Sequence, residues 1–324
     1  MEHMALVKSR RHGSTPASRR RGLGKEVAVA GCGPVGLFLA AGVAYAGYTP
    51  VLLCLSSESA AALLQREIRV HYKGGEARAR ASVAHILAAR RRFQHVIVAA
   101  RLNYLDHALE AVKRVLEPSG GVVFVQPSPY VLELASSRGL KVYGAIALYT
   151  CVRKIGPGEI EWPGEGAVRV AAGPGAEHLA DMMALPGVPI ERVGGRVTQL
   201  LWDYSIAAAS LQPLSALLGL PYSRVWRLKH ARELALRVAE EAGRVAEETG
   251  TELWRSPREA LEELAEVKGC VPRMLQDVSE RRETEADYML GYLLGQALRR
   301  DLYTPYIDSL YLMVKSVEES MRSV

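Results

Sequence analysis

The chain has 324 residues, of which 49% are hydrophobic and 23% charged. That is enough apolar material for a sizeable core in a globular protein of two domains, and too much for a disordered chain. Residues 1–25 carry seven basic residues against Glu2, a surplus that accounts for the whole net charge of +6. The remaining body is neutral, which gives no general argument for nucleic acid or an anionic membrane as partner.

The tail 1–25 bears Arg and Ser, is poor in acids and lacks an apolar segment, so it is not a secretory signal. A disordered extension is expected there, with a basic interaction arm, an organellar transit segment or an early start codon as alternatives. Residues 26–30 (EVAVA) then read as a short buried strand, and Gly31-Cys-Gly-Pro-Val-Gly36 opens a helix running to about Ala46. Gly47 suits the end of that helix, and residues 51–55 form the next strand. No charge occurs over residues 27–57, but the interruptions at Gly31–Pro34 and Gly47–Pro50 exclude a membrane span.

Further strands are expected over 67–72, 95–100 and 121–125, with a helix over about 105–116 between the last two. Residues 141–193 are turn-rich and read as extra strands. From Thr198 the pattern becomes helical, over 198–219, 222–249, 256–268, 284–300 and 305–321, and Leu234, Val238, Ala242 and Val245 make one bundle stripe. The expected class is α/β: a Rossmann-type doubly wound parallel sheet over 26–195, followed by an all-α domain for substrate and dimerisation over 196–324. The active cleft is expected between the two.

The glycine turn sits where a dinucleotide needs it, after a strand and at a helix start. Gly31 makes the tight turn, Gly33 lets the backbone approach a pyrophosphate, and Gly36 packs helix on strand, so Gly31, Cys32, Gly33, Pro34, Val35 and Gly36 are the candidate cofactor residues. The second strand ends in Leu55-Ser56-Ser57, without the carboxylate that would hold the ribose of NAD. Ser56, Ser57 and Arg101 are candidates for a 2′-phosphate, which favours NADP, with NAD as the alternative.

Residues 274–287 (MLQDVSERRETEAD) pack charge directly against the apolar helix that starts at Tyr288. Thr284 reads as a helix N-cap that places Glu285 in the first turn. This block, the glycine turn, residues 202–219 (WDYSIAAASLQPLSALLG), 304–308 (TPYID) and 312–315 (LMVK) together resemble the ketopantoate reductase (2-dehydropantoate 2-reductase) family over residues 26–324. The resemblance implies NADPH-dependent reduction of ketopantoate to pantoate, on the route to pantothenate and coenzyme A. It also implies a lysine proton donor at the position of Tyr204, asparagines at the positions of Ala208, Gln212 and Pro127, a serine at that of Arg273, and a cofactor arginine at that of Leu55. Glu285 alone stands unchanged.

Two readings follow. In the first the protein is an NAD(P)H-dependent reductase of a 2-oxo acid: Tyr204 gives the proton, in surroundings that favour its phenolate, Glu285 orients the substrate, and Arg273 and Gln212 bind it, Arg273 clamping the carboxylate. In the second the site is impaired and the protein binds a dinucleotide as a sensor or structural partner. The eight histidines lack ligand spacing, so no metal is expected. The four cysteines form no C-x-x-C and are too scattered for a disulfide framework, which makes a reducing cytoplasm the default. A homodimer is compatible with this organisation. Asn103 is the only asparagine and Arg outnumbers Lys 32 to 9, a pattern shared by hyperthermophile proteins and Arg-biased genomes.

Overall fold

The computed structural model describes residues 26–163 and 165–322; the basic tail lies outside them. The chain begins with β1 (Glu26–Ala30), α1 (Pro34–Tyr45), β2 (Thr49–Cys54), α2 (Ser57–Leu63), β3 (Ile68–Tyr72), β4 (Gly75–Ala79) and β5 (Ser82–His85). It continues through β6 (Phe93–Val98), α3 (Leu105–Val115), β7 (Leu116–Phe124), α4 (Tyr130–Ser137), β8 (Val142–Tyr149), β9 (Arg153–Gly156), β10 (Glu159–Glu161), β11 (Ala167–Ala172) and β12 (Ile190–Arg192). The helices α5 (Val197–Leu218), α6 (Tyr222–Arg227), α7 (Lys229–Glu248), α8 (Pro257–Glu266), α9 (Arg273–Ser279), α10 (Ala286–Leu298) and α11 (Pro305–Arg322) complete it.

The main sheet runs β12-β11-β8-β7-β6-β1-β2-β5. All pairs from β8 to β5 are parallel, and β11 alone turns antiparallel against β8. β1 lies between β2 and β6, so the glycine turn after β1 emerges at the carboxyl edge where Rossmann sheets bind ligands. The uncharged stretch over 27–57 has a simple cause. α1 is covered by the main sheet on one side and on the other by a small second sheet, β4-β3-β10-β9, whose neighbour Trp162 packs on Phe38 at 6.2 Å. The sequence reading anticipated neither that second sheet nor α4.

The helical half is organised around α5, most of whose 22 residues are buried because α7, α8, α9 and β8 surround it. Gly219 closes α5 in the left-handed conformation at φ +68°, with its N–H donating to Ser215. The single helix expected over 222–249 is two, broken at Leu228, where ψ is 116°. Thr284 is not the N-cap of α10. Glu285 occupies that position, one residue later, while the Thr284 hydroxyl still accepts from the Ala286 N–H at 3.2 Å. Among the described residues no helix is long and apolar enough to cross a membrane.

The cysteine expectation needs correction. All four are paired, Cys32 with Cys54 and Cys151 with Cys270, each pair with Cα atoms 5.1 Å apart. Adjacency of β1 and β2 brings the first pair together across 22 residues, and the meeting of the sheet half with the α8–α9 loop joins the second across 119. Spacing along the chain reveals neither. Since intracellular proteins of hyperthermophiles are themselves rich in disulfides, these bonds do not fix the compartment.

Candidate active site

The glycine turn forms one wall. Gly31 adopts φ +122°, and a Cβ there would stand 2.7 Å from the Ala99 carbonyl oxygen. One on Gly36 would stand 1.9 Å from the Gly31 oxygen, so both glycines are required by the protein's own packing. Gly33 differs: a Cβ there would meet nothing within 4 Å. The protein leaves an open cradle at the residue that caps α1, with no side-chain cap on the first-turn N–H groups. Bare helix N-termini of this kind favour anions, and a diphosphate fits the space. Cys32 is held by Cys54, which ties this turn to the end of β2.

Facing the turn is a cavity of about 970 Å³, counting its open mouth, that reaches into the helical half. Gly33, Pro34, Val35, Arg101, Tyr204, Gln212, Arg273 and Glu285 all line it. Gly31 and Gly36 do not, because they serve the turn itself. Glu285 is 3% exposed. Its Oε1 accepts from the Leu102 N–H of the sheet half at 2.6 Å, and both its oxygens receive Arg273 Nη1 at 3.3 Å. Arg273 opens α9, and its Nε and Nη2 make no hydrogen bond with the described protein. Gln212 accepts from the Met274 N–H at 3.4 Å, which leaves its amide NH2 available to the cavity. Pro213, inside α5, removes a backbone donor beside it.

Tyr204 packs its ring against Tyr149 at 5.5 Å, and its hydroxyl finds no hydrogen-bond partner among the described residues. Burial pushes its pKa up to about 12; Arg273 opposes the rise and Glu285 adds to it. The expectation of surroundings that favour the phenolate is therefore wrong. The site holds Tyr204 as a neutral phenol, because desolvation outweighs the nearby guanidinium. A second phenol, Tyr222 on α6, lines the same cavity, and burial likewise raises its pKa, helped by Tyr204. Sequence reading passed over Tyr222 because the start of an amphipathic helix carries no chemical signature.

At the mouth, Arg101 does not do what was expected of it. Its guanidinium is bound to Asp277 through both terminal nitrogens, one contact at 2.8 Å, and Asp277 also takes Arg282 at 3.0 Å. Asp277 is fully buried between these two arginines. The Ser56 hydroxyl caps α2 by accepting from the Ser59 N–H, and Ser57 is exposed. Neither serine lines the two cavities that contain Arg101, so the proposed trio is not brought together. Gln126 is a further residue that sequence reading left without a role. Its amide donates to the Val98 and Ala100 carbonyls at 2.9 and 2.8 Å, fixing the loop that presents Arg101 and Leu102. Pro127 follows it on the cavity wall.

Two family models match the chain: "Ketopantoate reductase PanE/ApbA" over residues 27–175 and "Ketopantoate reductase PanE/ApbA C terminal" over residues 196–318. The chain belongs to the ketopantoate reductase family. The 2-dehydropantoate 2-reductase of Bacillus subtilis is 25% identical over 306 residues, spanning 92% of this chain and 99% of that one. The fold is shared with a ketopantoate reductase from Ralstonia eutropha JMP134 at TM-score 0.79 and 23% identity, covering 92% of this chain and 99% of that one. It is shared too with D-mandelate dehydrogenase in its ternary structure with NADH and anilino(oxo)acetate, at TM-score 0.80 and 19% identity over 92% and 99% of the two chains. As a ketopantoate reductase family member the protein is an NAD(P)-dependent oxidoreductase acting on a CH–OH group, with a Rossmann-like half followed by an all-helical half.

Proposed function

We propose that the protein reduces a 2-oxo acid to the 2-hydroxy acid with NADPH, ketopantoate being the first substrate to test. The observation that carries this reading is the convergence of Tyr204, Gln212, Arg273 and Glu285 on one cavity beside the open Gly33 cradle. Gly33, Pro34 and Val35 would hold the dinucleotide's diphosphate at the start of α1. When bound, the reduced nicotinamide supplies hydride to the substrate's C2. The free Nε and Nη2 edge of Arg273 meets the substrate carboxylate, a match of planar fork to planar acid. Glu285 holds Arg273 in that pose from behind, and the Gln212 NH2 donates to a substrate oxygen. Tyr204, kept protonated, donates its proton to the oxygen on which negative charge develops. NADPH is favoured over NADH because no carboxylate stands at Leu55-Ser56-Ser57 to bind a free ribose diol. A nucleotide-binding protein without turnover is the weaker reading, since Tyr204, Gln212, Arg273 and Glu285 are gathered on a cavity beside the cradle, an arrangement that nucleotide binding alone does not need.

The test is oxidation of NADPH and of NADH by the purified protein against ketopantoate and a panel of 2-oxo acids, with kcat followed over pH. Reduction needs Tyr204 protonated, and with its pKa pushed up to about 12 that form persists across the ordinary range. The rate of reduction is therefore expected to show no alkaline fall below about pH 10.5, while the reverse oxidation, which needs the phenolate, climbs with pH. No turnover with any 2-oxo acid sinks the reading. An alkaline limb centred below pH 10 in the reductive direction assigns the proton to another group.

A further inference from the structure

Cys151 and Cys270 join the sheet-half and helical-half walls of the substrate cavity where the two walls meet, their Cα atoms 5.1 Å apart. Cys151 follows β8 and lines the cavity between Thr150 and Val152, on the wall of the sheet half. Cys270 is fully buried in the α8–α9 loop of the helical half, directly before Val271-Pro272-Arg273, three residues that all line the cavity. Its carbonyl also accepts from the Tyr222 N–H at 3.2 Å. One covalent bond thus fixes, against the sheet-half wall, both the residue that opens α9 and the tyrosine that opens α6. Three residues span at most about 10 Å of chain, so the position of Arg273 is set closely by where Cys270 is anchored.

Non-covalent links between the halves hold α9 at its other end and elsewhere. Arg101 to Asp277, Leu102 N–H to Glu285 and the Asn103 amide to the Thr284 carbonyl, the last at 2.9 Å, all close the mouth beside the 99–104 loop. The buried cluster of Asp203, Arg255 and Tyr149 closes the rear. Beside Cys270, at the start of α9, the non-covalent support is slight. The Lys268 N–H donates to the exposed Glu165 at 3.2 Å, and the Arg273 to Glu285 contacts are long at 3.3 Å. The sheet half thus holds α9 from two ends, through Arg101 on Asp277 at the mouth and through the disulfide just before Arg273.

We infer that the Cys151–Cys270 disulfide is a positioning element for substrate binding: it sets the gap across the cavity at which Arg273 and Tyr222 meet a 2-oxo acid. The cofactor turn, held by its own Cys32–Cys54 bond on the far side of β1, does not depend on it. The inference rests on the reductase reading for the identity of the substrate, but its geometric part does not.

The test uses Cys151→Ser/Cys270→Ser and, in case that variant folds poorly, the single Cys151→Ala, both with Cys32–Cys54 intact. Hydrogen–deuterium exchange gives the reading-independent measurement. Amides of residues 271–276 and Tyr222 are expected to exchange at least tenfold faster in the variants, with residues 31–37 unchanged. Kinetically, KM for the 2-oxo acid is expected to rise about tenfold, with kcat within threefold and NADPH affinity within twofold of wild type. Unchanged exchange over 271–276 overturns the inference. So does a variant that merely melts lower while keeping its KM, since that is a thermal staple and nothing more. If exchange rises as expected but the wild-type protein turns over no 2-oxo acid, the reductase reading falls, and with it the substrate half of this inference.

Discussion

Tyr204→Phe is expected to lower kcat for reduction by about 10²–10⁴-fold, the usual worth of a positioned proton donor. The change removes one oxygen that bonds to nothing in the described protein, so neither packing nor a protein hydrogen bond is lost. The ring remains against Tyr149, and the melting temperature should hold within about 1 °C. NADPH affinity should be unchanged because Tyr204 belongs to α5 of the helical half and is no part of the Gly33 cradle at the start of α1. Two features make the phenol a fit donor despite its weak acidity. Burial keeps it neutral at every working pH, and the Arg273 guanidinium nearby offsets part of the charge left when the proton departs. Tyr222 stands close enough to raise the question of a second donor, and Tyr222→Phe is the matching control. A Tyr204→Phe enzyme with wild-type kcat would remove Tyr204 from the chemistry and move attention to Tyr222.

Asp203→Ala should be the most destabilising single change at the joint between the halves. Asp203 is 2% exposed and receives Arg255 through Nε and Nη2 together with the Tyr149 hydroxyl. Arg255 in turn holds Glu263, and Glu263 pairs with Arg169 at 2.6 Å. Removing the carboxylate leaves a fully buried phenol without its acceptor and a largely buried guanidinium with Glu263 as its one remaining partner. Breaking one side of such a pair costs about 3–5 kcal/mol, which corresponds to a fall in Tm of roughly 4–7 °C for a chain of this size. Asp203→Asn keeps an acceptor and should cost distinctly less. Calorimetry showing Asp203→Ala within 2 °C of wild type would mean that solvent already reaches the cluster and that the joint is held by apolar packing alone.

Much of this architecture was legible because it is local. The βαβ turn announces itself through Gly31, Gly33 and Gly36 at one strand-to-helix junction, and the long helices of the second half through their apolar periodicity. Cavity residues were found through block resemblance, and Tyr204, Gln212, Arg273 and Glu285 do share a cavity. What the sequence hid is long-range or environmental. Asp277 looks like one charge among seven in a polar block, yet it is wholly buried, because Arg101 arrives from 176 positions away. That same contact takes Arg101 out of the role proposed for it. The direction of the Tyr204 shift depends on burial, which no spacing reveals. Thr284 and Glu285 are both able to start a helix, and the Leu102 N–H and Arg273 decide how Glu285 is used. The second sheet was hidden because its pairing is long-range: the strand expected over 67–72 is β3, but it pairs with β4 and with β10, Arg69 meeting Glu159, instead of joining the main sheet.

All of these roles assume a dinucleotide seated on the turn at the start of α1. The direct measurement is calorimetric titration of NADPH into the wild-type protein and into Gly33→Val. The valine Cβ meets no protein atom within 4 Å, and Gly33 has an extended backbone at φ −79°, so the variant should fold and melt like wild type. Its branched side chain would occupy the cradle. Micromolar binding by the wild type and a loss of at least about 30-fold in the variant, roughly 2 kcal/mol, is the predicted result. Equal affinity in the two proteins would place the nucleotide elsewhere and contradict the account.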